Sequence, residues 1–102
     1  MSGIPASFNL AGHTIRVRIV TAGKWRHPKN CDGIWLPDKY RIDIRASCQG
    51  THRQQVFCHE MTHAILDVAG HEELSRDEAF VDRVAQLLMQ ALTTFESRLQ
   101  KG

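Results

Sequence analysis

At Gly50 the chain changes its period, and this change constrains its fold more than any other feature. Before it, apolar residues alternate. In TIRVRIV (14–20), Ile15, Val17 and Ile19 fall on one side and Arg16 and Arg18 on the other, the pattern of a half-buried strand. GIWLPDKYRIDIRAS reads as two short strands about a Pro37-Asp38-Lys39 turn, with Tyr40, Ile42 and Ile44 alternating against Arg41, Asp43 and Arg45. The segment between, TAGKWRHPKNCDG, has turn residues and no period, and reads as loop. After Gly50 the spacing becomes helical. Thr51 and Gln54 match a capping box, and Val56, Phe57, Met61, Ala64, Ile65 and Val68 recur along one face up to Gly70, a C-terminal stop. A linker, HEELSRD, leads to a last helix from about Ser75 to near Leu99, with an apolar stripe of Phe80, Val84, Leu87, Leu88, Ala91, Leu92 and Phe95. Strands followed by helices predict an α+β fold: a short, mainly antiparallel sheet with a helix at 51–69 and a long helix at 75–99 packed on one face.

The chain of 102 residues fits one domain spanning 1–102, and 42% apolar against 24% charged residues suffices for a core. A net charge of +2 gives no reason to expect a nucleic-acid partner, and no apolar run reaches membrane-spanning length. Three cysteines, Cys31, Cys48 and Cys58, with no signal-like segment in MSGIPASFNLAGH, fit reduced thiols in a cytoplasm. They lack the C-x-x-C pairing of a structural zinc site. Cys58 adjoins His59, but successive helical residues point roughly 100° apart, so it need not face the same ion.

The middle turns of the first helix read CHEMTH (58–63), which contains H-E-x-x-H. On a helix, His59 and His63 stand one turn apart on the same face and can share a cation, with Glu60 beside them to take a proton from water. A catalytic zinc usually needs a third protein ligand. Asp67, His71, Glu72, Glu73, Asp77, Glu78 and Asp82 are available downstream. The pattern with a third histidine requires glycine at position 66 and histidine at 69, whereas the chain has Leu66 and Ala69. Asp67, a turn beyond His63, suits a neighbour better than a ligand, and His71 follows the Gly70 stop and could bend back. Glu78 is the stronger choice: it opens the last helix, and Asp82, four residues on, can accept the free N–H of a ligating histidine. Ser75-x-x-Glu78 also matches a capping box, a purely structural use of Glu78.

HEMTHAILD followed by EAFVD resembles the gluzincin group of zinc peptidases, which pair H-E-x-x-H with E-x-x-x-D on a second helix. The resemblance covers about residues 51–85, and the small size is similar to that of stripped-down gluzincins and ImmA/IrrE-like peptidases. It implies a small zincin-like domain holding one Zn²⁺ per chain on His59, His63 and Glu78, with Glu60 as general base and Asp82 orienting His59. The activity implied is hydrolysis of a peptide or protein by a zinc-bound water, with the substrate extended along an edge strand, expected at 40–46. His71 and Tyr40 are the candidates to donate a hydrogen bond to a developing oxyanion, although surface histidine and core tyrosine are the plainer readings. The alternative function is a zinc-stabilised binding or regulatory module that cuts nothing. A SprT-like DNA-associated protease fits less well, given the charge and the glutamate third ligand. His13, His27 and His52 are expected to be unligated, Trp25 and Trp35 to pack, and Arg16, Arg18, Arg41 and Arg45 to form a solvated sheet face.

Overall fold

A computed structural model describes residues 3–101. The elements are β1 (Ser7–Leu10), β2 (His13–Val20), β3 (Gly33–Leu36), β4 (Arg41–Arg45), α1 (Gly50–Val68), α2 (Glu72–Ser75) and α3 (Glu78–Ser97). The fold is α+β, with a four-stranded mixed sheet in the order β1-β2-β4-β3. β1 and β2 pair antiparallel, as do β3 and β4, while β2 and β4 run parallel, with Val17 opposite Ile42 and Ile19 opposite Ile44. The periodicity did not predict β1; its clues are the alternation of Phe8 and Leu10 and the Ala11-Gly12 turn, where both residues take positive φ.

The parallel pairing corrects the expected edge. Residues 40–46 contain β4, which lies between β2 and β3 and has Ile42, Asp43 and Ile44 all buried. The edge strands are β1 and β3, and β3 is the edge next to β4. The arginine face is not simply solvated either. Asp43, 1% exposed, lies 3.1 Å from Arg18 Nε, 2.9 Å from Arg41 Nε and 2.9 Å from His27 Nε2. Arg45 donates to the carbonyls of Cys31 and Lys29 and stacks on Trp25. These contacts fold loop 21–32 over the outer face, the face on which Val20 is buried. Alternation alone cannot distinguish a face open to water from one roofed by a loop.

On the inner face, Ile15, Trp35, Ile42 and Ile44 pack with Phe57, Cys58 and Ala64 of α1, and Phe8 meets Phe57 edge-on. α1 begins two residues earlier than the capping box implied, with Gln49 rather than Thr51 at its N-cap. It ends at Val68, and Gly70, two residues on, has a φ of +84° that permits a Schellman turn: His71 N–H donates to Leu66 O and Gly70 N–H to Asp67 O. The expected linker contains the single turn α2, so the last helix starts at Glu78 rather than Ser75 and ends at Ser97. Asp77 caps α3 by accepting from Phe80 N–H, which removes the capping role considered for Ser75 and Glu78. The stripe of α3 is centred on Val81 and Ala85; Phe80, Leu87 and Phe95 are exposed. Among the described residues no helix is long and apolar enough to cross a membrane.

Candidate metal centre

α1 and α3 pack against each other, and the turn α2 brings the start of α3 back across the middle of α1. As a result His59, His63 and Glu78 each offer a donor atom within 4.8 Å of the others. His59 Nε2 is 3.1 Å from Glu78 Oε2, and His63 Nε2 is 3.2 Å from Glu78 Oε1. Both rings thus aim the same nitrogen at one carboxylate. Their other nitrogens are held from behind: His59 Nδ1 lies 2.7 Å from Asp82 Oδ1, and His63 Nδ1 lies 2.9 Å from Ser75 Oγ. Asp82 reaches His59 because it stands four residues after Glu78 on one face of α3.

This bonding pattern tests whether the residues suit a cation. A neutral imidazole carries a single N–H, so His59 can donate to Asp82 or to Glu78 but not to both. A cation between Nε2 and Glu78 removes the conflict, because Nδ1 keeps its proton for Asp82. Two imidazoles and a carboxylate form a common ligand set for catalytic zinc, and three protein ligands leave a coordination position open. The donors therefore fit.

Glu60 lies beside them, 9% exposed. Burial drives its carboxyl up to about 7, and Glu78 adds to the rise, against His59 and a hydrogen bond from the Trp35 backbone. Burial likewise holds His63 below the ordinary imidazole range, opposed by Glu78. Trp35 fixes the strand to the helix a second time, since its indole Nε1–H donates to Asp67 Oδ2 at 2.8 Å. Asp67 is accordingly a neighbour of the site, as its spacing implied. The cleft in front of these groups has a volume of about 670 Å³ and is lined by Gly33, Trp35, Val56, His59, Glu60 and Glu78, among others.

Tyr40 and His71 are not among the groups that line the cleft. Tyr40 takes a left-handed φ of +48° at the end of the 37–39 turn and stacks on His13 at 4.4 Å. His71 forms the N-cap of α2 and faces a separate, shallow concavity. Cys58 is buried in the core. Sequence reasoning missed Ser75, whose hydroxyl orients His63; its place in Ser-x-x-Glu suggested a cap, and a one-turn helix leaves no periodic signal. No protein-family model, curated protein or solved structure matches the chain, and a functional reading therefore rests on this geometry.

Proposed function

We propose that the chain is a small zinc-dependent metallopeptidase of the gluzincin type, with zinc held by His59, His63 and Glu78. The observation that carries this reading is the convergence of two Nε2 atoms on Glu78, each imidazole tied behind by Asp82 or Ser75, next to a buried glutamate. Zinc in this position supplies Lewis acidity, acidifying a water and polarising a carbonyl oxygen. Glu60 takes the proton from the attacking water as general base and then passes it as acid to the leaving amine. Trp35 and Val56 exclude solvent around it. The substrate is a peptide in extended form, added as a further strand on the free edge of β3, which borders the cleft and replaces 40–46 in that role. The compartment proposed is the cytoplasm, where three unpaired thiols are stable.

A second reading is supported by the same ligands joining α1 to the first residue of α3, which makes the metal a clamp between two helices of a small chain. In that case the protein is a binding module. Glu60→Gln separates the two. Zinc per chain is measured by elemental mass spectrometry, and cleavage of an unfolded protein substrate by the appearance of new termini. The peptidase reading expects Glu78→Ala to lose about one zinc per chain relative to wild type, and a fall in cleavage of roughly 10²–10⁴-fold in Glu60→Gln with that zinc retained. Zinc binding with no cleavage by the wild type favours the clamp. Cleavage unchanged in Glu60→Gln removes the mechanism.

A further inference from the structure

Beyond the His59 centre, a second mixed set of donors converges where loop 21–32 meets the start of α1. Asp32, Cys48 and His52 each offer an atom within 4.8 Å of the others. His52 Nε2 is 3.1 Å from Asp32 Oδ2, and Cys48 Sγ is 4.0 Å from Asp32 O. The backbone holds these segments in place: Arg45 N–H donates to Asp32 O, Cys48 N–H to Arg45 O, and the Arg53 guanidinium to Cys48 O and Ala46 O. Cys48 is buried, whereas Asp32 and His52 are half-exposed and line the same cleft as His59. A thiol is thus covered on the protein side and flanked by two polar donors on the solvent side.

We propose that Asp32, Cys48 and His52 form a second, independent site for a thiophilic divalent cation. Thiolate and imidazole select zinc, cobalt(II) or cadmium over magnesium and calcium, and three protein donors leave a position for water. Binding replaces the Cys48 S–H proton, which passes to solvent, with the metal. The site is separate from the first. His52 precedes His59 by seven residues, about 10 Å along the helix axis and nearly on the same face. That separation exceeds the roughly 4 Å of a bridged two-metal centre. A cation here ties loop 21–32, and with it the start of β3, to the first turn of α1 at the mouth of the cleft.

Sulfur makes the site separately observable, because the His59 centre contains none. Cobalt(II) titrated into the metal-free full chain is expected to produce a near-ultraviolet thiolate-to-cobalt charge-transfer band, which saturates at one equivalent when the His59 centre is disabled by His59→Ala/His63→Ala. The band should vanish in Cys48→Ser and persist in Cys31→Ser and in the His59→Ala/His63→Ala double variant. In His52→Ala, cobalt affinity read from the band should fall by more than the roughly 10–100-fold that loss of an orienting group costs. His52 is half-exposed, so this variant keeps the test valid if Cys48→Ser does not fold. No band in the wild type under excess cobalt, a band surviving Cys48→Ser, or unchanged affinity in His52→Ala overturns the site. Each of those results leaves the zinc content of the His59 centre untouched, and failure of that centre in turn leaves the band unaffected.

Discussion

His59 meets an acceptor at each ring nitrogen, Glu78 at Nε2 and Asp82 at Nδ1, and this bonding makes Asp82 a distinct target for mutation. Asp82→Asn leaves the side chain's size unchanged and substitutes a neutral amide for the carboxylate. Zinc affinity, measured by competition with a chromophoric chelator, should fall by roughly 10–100-fold while the circular dichroism spectrum is unchanged. Equal affinity would mean that Asp82 is only a surface charge near the histidine. His59, Glu60, His63, Glu78 and Asp82 were all readable from spacing, because i, i+4 neighbours on a helix share a face whatever surrounds them. Ser75 was not, because a hydroxyl three residues before a glutamate has the same signature whether it caps a helix or braces an imidazole.

Among the elements, the seam between β3 and α1 decides how Glu60 is held. A Cβ placed on Gly33 would come within 2.5 Å of Val56 Cγ1 and 3.2 Å of Glu60 Cγ. Val56 is β-branched and cannot swing clear without exchanging one methyl for another. Gly33→Ala should therefore destabilise the protein by about 1–3 kcal/mol in chemical denaturation, the usual range for overpacking. Adding Val56→Ala should recover part of that loss, a non-additivity expected of residues in contact. Two strictly additive effects would place the strain elsewhere. The long helices and β2 were legible because each repeats its period several times, and the β3–β4 hairpin because the Pro37-Asp38-Lys39 turn signals it between apolar segments. β1 and α2, four residues each, repeat too little to register.

For the molecule as a whole, acid and metal are the two conditions that should shift stability. Burial alone would raise the Asp43 carboxyl, but hydrogen bonds from Arg18, His27 and Arg41 outweigh it and hold the group at about 2, below its ordinary 3.8. A depressed folded-state pKa contributes stability that is complete above the unfolded value and lost as pH falls towards the folded one. Denaturation between about pH 5 and pH 2 should show wild type losing about 2 kcal/mol more than Asp43→Asn, the equivalent of that shift. Parallel curves for the two proteins would mean that Asp43 carries no such linkage. Zinc at the proposed centre would act on the whole fold, because its proposed ligands join α1 to α3. At a hundredfold excess over Kd it should add about 2.7 kcal/mol. For a chain of this size, that raises Tm by about 10 °C or more. In a Cys48→Ser background the rise should be absent in Glu78→Ala, and an equal rise there would place the stabilising ion elsewhere.

By itself the sequence determined that strands precede helices, the positions of the two long helices to within a few residues, and the face of each that carries the metal-type donors. These follow from local geometry, since helical and extended periods repeat within one segment. Only the tertiary structure decided that β4 is internal and β3 an edge, because strand order depends on which segments meet across the sheet. The same holds for Asp43, one of a row of alternating charges in the chain, which becomes a buried hub once loop 21–32 folds over it. It holds also for Cys48, which stands 16 residues from Asp32 in sequence and within ligand distance of it in space. Contacts between distant segments leave no period in the sequence, and the fold alone brings those donors together.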